Sequence, residues 1–254
     1  MKKILILGGT TEARQLAGKL ADRADCSVTL SMAGRTESPV AQGVPVRTGG
    51  FGGADGLAAY LRATRTDLLI DATHPYAARI SANAARAARE TGMPILALRR
   101  PGWKAVDGDR WVLVDNVADA VRALGIAPRR VFLALGRQEV AAFEAAPQHH
   151  YLIRSVDPVE PKLTLPNAEY LLARGPFREA DEDALLRDHH IDAVVSKNSG
   201  GEATYGKIAA ARALGIEVVV VSRPALPDVP SAETVEALAA MVDHFVRPVD
   251  ERGV

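Results

Sequence analysis

Ile4-Leu5-Ile6-Leu7-Gly8-Gly9-Thr10-Thr11-Glu12-Ala13-Arg14 is the stretch that decides the fold. Four aliphatic residues run together with no polar alternation, the pattern of a strand buried on both faces, as in a parallel sheet. Two glycines end that strand. Ala13, Leu16, Ala17 and Leu20 then recur at helical spacing. A strand-glycine-helix corner points backbone N–H groups into open space at the positive end of a helix, which suits a phosphate. Gly9, Thr10 and Thr11 are the candidate donors. The corner lacks the full G-x-G-x-x-G pattern, and Ala13 or Ala17 takes the close-packing place of the third glycine. The competing reading is a plain βα turn with no ligand. The corner's place in the first βα unit of the chain favours the ligand.

The 254-residue chain is long enough for one large or two small domains. Lys plus Arg equals Asp plus Glu, at 31 each, so the basic excess of a general nucleic-acid binder is missing. Any pull on an anionic ligand must come from locally placed Arg and Lys. The single cysteine, Cys26, excludes an internal disulfide and a cysteine metal cluster. The first apolar run is too short for a signal peptide, and no stretch has the length and apolarity of a membrane span. The expectation is a soluble cytoplasmic protein, monomeric or a weak homo-oligomer.

Further βα units follow. Strands are expected over 27–31, 44–48, 67–71 and 93–98, with helices over 57–64 and about 77–90. The strand at 27–31 ends at Ser31, where a dinucleotide-binding fold tests the adenosine ribose. An acidic residue there selects NAD, and an Arg accommodates the 2′-phosphate of NADP. No acid precedes Glu37, and Arg35 is well placed, so a bound dinucleotide is expected to be NADP(H); otherwise Arg35 is an exposed loop residue. Gly49-Gly50-Phe51-Gly52-Gly53 either admits a close backbone approach, beginning at Gly49, or is a flexible connector. Thr73-His74-Pro75-Tyr76 closes the fourth strand. Pro75 keeps His74 extended and suits the first helical position, with Thr73 or His74 as cap. Thr73 and His74 are expected to face the same crevice as Gly8 to Thr11. Arg99 to Lys104 breaks the repeat and marks a domain boundary.

The second half repeats the theme, with strands expected near 111–114, 130–135, 150–154, 168–173, 193–196 and 217–221. Arg137 stands at the mouth of a second strand-glycine junction. Lys197-Asn198-Ser199-Gly200-Gly201 ends the 193–196 strand and leads towards Thr204. Lys197, Asn198, Gly200 and the Ser199 and Thr204 hydroxyls make a candidate polyanion cradle; the alternative is a loop with a helix cap. The spacing does not fit a Walker A loop. Ser231 is expected to cap a last amphipathic helix carrying Val235, Leu238, Met241, Val242 and Phe245. The α/β expectation is therefore two Rossmann-like doubly wound domains with parallel sheets, 1–100 and 101–254, and a cleft between them. The strand at 218–221 suits either sheet.

Taken together, Gly8-Gly9-Thr10-Thr11-Glu12-Ala13-Arg14, Asp71-Ala72-Thr73-His74-Pro75-Tyr76-Ala77 and Ser196-Lys197-Asn198-Ser199-Gly200-Gly201 resemble the precorrin-6A reductase family of cobalamin biosynthesis, in order and spacing, over nearly the whole chain. The resemblance implies NADPH-dependent reduction of one carbon–carbon double bond of the tetrapyrrole precorrin-6A, giving precorrin-6B. Tyr76, Arg79, Arg137, Arg154, Arg174 and Lys162 are then candidates to meet the substrate and its carboxylates, each otherwise a surface group. His74, Tyr76 or solvent would supply the proton. No resident metal is expected, and no nucleic acid or membrane as partner. The alternatives are the same reduction on the cobalt-loaded macrocycle, a non-catalytic NADP-binding regulator, and another enzyme on this fold, such as a nucleotide-sugar transferase.

Overall fold

The computed structural model describes residues 1–33 and 43–246. The chain forms two units, residues 1–100 with 224–254, and residues 101–223.

The first unit is built on β1 (Lys2–Leu7), β2 (Cys26–Met32), β3 (Val46–Thr48), β4 (Leu68–Asp71), β5 (Ile95–Leu98) and β12 (Ser231–Ala232). They lie in the order β12-β5-β4-β1-β2-β3, with every pairing parallel. Reading β12 as the sixth strand, this is the 3-2-1-4-5-6 order of dinucleotide-binding folds. The lack of alternation in β1 has a direct cause. Ile4 and Ile6 pack into one core with α1 (Thr11–Ala21) and α7 (Val235–Val246). Leu5 and Leu7 point the other way, against α2 (Gly53–Thr64) and α3 (Ala78–Thr91). All four are nearly inaccessible, and each such side chain contributes roughly 1.5–3 kcal/mol.

The end of the chain departs from the expected 101–254 domain. Residues 224–254 belong to the first unit. β12 adds to the edge of β5, and Leu238, Ala239 and Val242 of α7 complete the core over α1. An apolar helix face needs a sheet to cover, and the first sheet would otherwise leave Ile4 and Ile6 open on that side. Ser231 is in β12 rather than at a helix cap; the Thr234 hydroxyl accepts from Ala237 N–H at 3.1 Å instead.

The second unit contains β6 (Arg110–Val114), α4 (Val117–Ala123), β7 (Arg130–Ala134), β8 (His150–Ser155), β9 (Ala168–Leu172), α5 (Glu179–Asp188), β10 (Ala193–Lys197), α6 (Gly206–Leu214) and β11 (Glu217–Val221). Its parallel sheet runs β6-β11-β10-β7-β8-β9, so the 217–221 strand completes this sheet. The topology matches that of the first unit from the centre outward, with β7 and β10 in the places of β1 and β4. The edge place taken by β12 in one sheet is taken by β6 in the other. Phe132, Leu152, Val194, Ile208 and Val218 form the core.

Candidate functional site

In the first unit, β1 and β4 flank the point where the strand order reverses, and ligands bind beyond the carboxyl ends of such strands. A crevice of about 480 Å³ opens there. Gly8, Ser31, Gly49, Thr73 and Arg79 all line it, so four segments far apart in sequence meet. Phe51, Leu57 and Ile80 supply apolar wall. Arg79 is the charged residue among the described residues of the lining, and no acid is found there.

The β1–α1 corner is shaped by its glycines. Gly9 has φ +117°, a conformation that side-chain-bearing residues avoid. A Cβ on Gly8 would stand 2.6 Å from Leu30 Cδ1, so the corner is drawn tightly onto β2. Thr10 is buried and caps α1: its hydroxyl accepts from Ala13 N–H at 3.0 Å and donates to the Ala72 carbonyl at 3.0 Å. Its hydroxyl thus ties the corner to the end of β4, and what Thr10 offers a ligand is its backbone. Thr11 is exposed at the first turn, where helical N–H groups have no intrahelical acceptor. Glu12 in the same turn receives Arg100 Nη1 at 2.6 Å on both carboxylate oxygens, which offsets its negative charge beside the corner.

The end of β4 is held by an ion pair. Asp71 accepts from the Thr73 hydroxyl at 2.7 Å and from Arg99 at 2.7 Å. Burial works against ionisation of Asp71, but Arg99 and the Ser81 and Thr73 hydroxyls outweigh it and hold the carboxyl below its ordinary range. Thr73 is therefore turned towards Asp71 and does not cap α3. Pro75 and Tyr76 form a turn, Ala77 precedes the helix, and no side chain caps it. Instead, Tyr76 N–H donates to His74 Nδ1 at 3.3 Å, and Ala77 N–H donates to the His74 carbonyl at 2.7 Å. An Nδ1 that accepts leaves the proton of the neutral ring on Nε2. The His74 and Tyr76 rings lie 5.7 Å apart. Arg35 lies outside the described residues.

In the second unit the corresponding corner is the end of β10 beside the loop after β7. Lys197 pairs with Glu139, whose other oxygen accepts from Gly136 N–H at 2.9 Å, so the Lys197 and Gly136–Arg137 segments are joined. Arg137 is exposed on that loop. The Asn198 amide grips the backbone of Trp103, accepting from its N–H at 2.7 Å and donating to its carbonyl at 2.9 Å. Its role is to fix the loop. Gly200 has φ +67°, and a Cβ there would stand 2.2 Å from the Pro101 carbonyl. Arg223 donates to the Asn198 and Ser199 carbonyls at 2.8 and 3.0 Å. Thr204 ends a short 3-10 turn, and its carbonyl accepts from Lys207 Nζ at 2.6 Å.

Arg154 departs from its expected place. Its side chain is 6% exposed and donates to both carboxylate oxygens of Glu182, at 2.5 and 2.9 Å. Phe177 and Phe132 cover its guanidinium, at 3.7 and 4.7 Å. Its guanidinium is held in an internal ion pair with Glu182, where it had been expected to face a substrate carboxylate. Arg174 and Lys162 are exposed, the latter over the Tyr170 ring. Among the described residues, no group of His, Cys, Asp and Glu is arranged to hold a metal ion.

Sequence reasoning overlooked three parts of these sites. Arg47 on β3 touches the glycine-rich loop, Arg99 lies in the stretch expected to mark a domain boundary, and Glu139 had drawn no reading at all. A charged residue beside a glycine run was the one visible signal, for Arg47.

A glycine-shaped corner, an open crevice at the reversal point and two parallel sheets define a protein of the Rossmann type, built of two such units. Comparison with known proteins narrows this. The family model for "Precorrin-6x reductase CbiJ/CobK" matches residues 3–243. A precorrin-6A reductase from Sinorhizobium sp is 58% identical over 246 residues, 97% of this chain and 94% of the relative. One from Rhodobacter capsulatus is 49% identical over the full length of both. The cobalt-precorrin-6A reductase of Salmonella typhimurium is 30% identical over 96% of this chain and 95% of the relative. The solved structure "CobK precorrin-6A reductase" superimposes with a TM-score of 0.92 at 49% identity, covering both chains entirely. The chain belongs to the precorrin-6x reductase CbiJ/CobK family, oxidoreductases of cobalamin biosynthesis. Among the described residues, no helix is long and apolar enough to cross a membrane.

Proposed function

We propose that this chain uses NADPH to reduce one carbon–carbon double bond of metal-free precorrin-6A, giving precorrin-6B. The observation that carries the coenzyme reading is the crevice at the β1/β4 reversal, walled by glycines and free of acids among its described lining residues. Its volume lies within the roughly 300–1,000 Å³ usual for small-molecule sites. The Gly8–Gly9 corner admits a backbone approach that side chains would block, so the residues fit a dinucleotide. When bound, the nicotinamide supplies the hydride; the protein binds, orients and excludes water.

Each residue then has a task. Backbone groups of Gly9, Thr10 and Thr11 hold the pyrophosphate. Ser31, Arg35 and Gly49 receive the adenosine ribose. Thr73 and His74 face the nicotinamide half. Lys197, Ser199, Gly200 and Thr204 form an anion-binding corner of the second unit, shaped by Asn198. Tyr76, Arg79 and Arg137 meet the tetrapyrrole, the arginines as forks for its carboxylates. The Nε2 proton of His74 or the Tyr76 hydroxyl protonates the neighbouring carbon. A cytoplasmic setting, a monomer or weak homo-oligomer and the absence of nucleic-acid partners accompany this reading.

The metal-free substrate is favoured by the relatives: precorrin-6A reductases reach 58% identity, the cobalt-precorrin enzyme 30%. The test is anaerobic incubation with NADPH and either macrocycle, following macrocycle absorbance and NADPH consumption together. Turnover of precorrin-6A is expected, faster than that of its cobalt form. NADPH binding with turnover of neither would instead make the chain a dinucleotide-binding regulator.

A further inference from the structure

We propose that Arg47 is a specificity-determining residue for the coenzyme, placing positive charge and a planar donor fork at the 2′-phosphate position beside Ser31. The inference rests on the dinucleotide reading above and goes beyond it by naming a further group, beside Arg35, that tells NADPH from NADH.

The placement follows from the sheet. β2 and β3 run parallel with Ser31 opposite Arg47 in register. The carboxyl end of the second strand is where dinucleotide folds read the ribose 2′ position. Ser31 is 5% exposed and lines the crevice. Arg47 Nη1 lies 3.5 Å from its hydroxyl oxygen. The guanidinium that reaches the candidate 2′ position from a described element is therefore that of Arg47.

Its surroundings hold it there. The guanidinium carbon sits 3.8 Å over the Phe51 ring and 5.3 Å from the centre of the Tyr60 ring. Its nitrogens donate to the Gly49 and Gly50 carbonyls, the latter at 2.9 Å. Stacking and two carbonyl bonds remove the freedom that an exposed arginine would otherwise lose on binding. The bonds also engage two carbonyl oxygens of the crevice wall, whose partial negative charge would oppose a phosphate. Three of the five guanidinium N–H groups meet Ser31, Gly49 and Gly50. Among the described residues no acceptor takes the other two, which are open to a phosphate, and a charge-assisted fork is the strongest way to hold one.

The test is calorimetric titration of the full-length wild type, Arg47→Gln and Arg47→Lys with 2′,5′-ADP, 5′-AMP, NADPH and NADH. Arg47→Gln is expected to weaken 2′,5′-ADP and NADPH by about tenfold to a hundredfold, while 5′-AMP and NADH stay within about threefold. Arg47→Lys keeps the charge without the fork and falls between. Equal weakening of phosphorylated and unphosphorylated ligands, or no weakening, overturns the proposal. If Arg47→Gln fails to fold by circular dichroism, Arg47→Lys decides: its ratio of 2′,5′-ADP to 5′-AMP affinity must fall below that of the wild type. A wild type that binds neither NADPH nor 2′,5′-ADP would instead overturn the coenzyme reading itself, which is a different result from a variant that matches a binding-competent wild type.

Discussion

Arg99 donates to Asp71 at 2.7 Å, and this ion pair fixes the end of β4 two residues before crevice-lining Thr73. Asp71 is 1% exposed, so its charge depends on that partner. Arg99→Ala is expected to destabilise the protein by about 3 kcal/mol, the lower end of the cost of orphaning a buried charge, because the Thr73 hydroxyl stays in place. Urea denaturation measures this. The pH dependence has a definite sign. With its carboxyl held below the ordinary range, Asp71 contributes stability that is present above its unfolded pKa of about 4 and disappears as pH falls through the folded value. Losing Arg99 raises the folded value towards the unfolded one, so the variant should lose less stability than the wild type as pH falls below about 4, and the gap between the two should narrow there. Identical acid limbs would show that the pair does not set the ionisation of Asp71.

Lys207 is a second buried charge, with the opposite behaviour. It is 3% exposed and stands 4.8 Å from the centre of the Trp103 ring. Burial and then the nearby Arg154 lower its pKa to about 7, against a partial pull upward from Glu182. Between pH 7 and the unfolded value near 10.4 the unfolded chain holds more protons at this site, so stability from Lys207 rises with pH across that window. Lys207→Met should stabilise the protein most below pH 7, by no more than about 5 kcal/mol. The difference from wild type should shrink towards pH 10. A constant difference at all pH values would mean that Lys207 keeps its proton when folded.

The core of each sheet was legible because a two-faced strand leaves an uninterrupted apolar run; Ile4 to Leu7 and Val218 to Val221 are such runs. Loop corners were legible where glycine conformation decides them, as at Gly9 and Gly200. What escaped depends on contacts made at long range. Nothing around Ser231 distinguishes a two-residue strand on β5 from a helix cap, because the deciding partner is Ala97. Arg154 reads like any other strand arginine until Glu182, 28 residues on, is seen to meet it. Arg99 looks like a surface charge because Asp71, its partner, lies 28 residues away, and Arg47 because its fold back onto the Gly49 and Gly50 carbonyls is set by the Phe51 and Tyr60 rings rather than by its own strand.

The Gly9 corner offers a test that separates conformation from space. Among the described residues a Cβ there meets nothing within 4 Å, yet φ is +117°. Any cost of Gly9→Ala must therefore come from the backbone, about 1–3 kcal/mol for a residue held in a sparsely populated region. Relaxation of that strain would turn the corner and move the first-turn N–H groups. Weaker NADPH binding is expected together with the stability loss, while Gly18→Ala serves as the control, since Gly18 is on α1 with open space around it. Should Gly9→Ala lose stability and keep full NADPH affinity, the corner would be a structural turn only.

Lys197 tests the second unit independently. Its ammonium pairs with Glu139, which in turn accepts from Gly136 N–H. Lys197→Ala removes a cation from the proposed anion-binding corner and leaves the Glu139 carboxylate facing it, so an incoming phosphate or carboxylate should meet repulsion there. The loss of one charge-assisted contact is worth roughly 1.5–3 kcal/mol, or about tenfold to a hundredfold in the KM for NADPH. Adding Glu139→Gln removes the repulsion and should recover part of that loss, whereas a purely structural ion pair predicts no recovery in KM. Steady-state kinetics with NADPH varied, beside a thermal melt of each variant, decides between them: an unchanged KM in a normally folded Lys197→Ala would take this corner out of coenzyme binding.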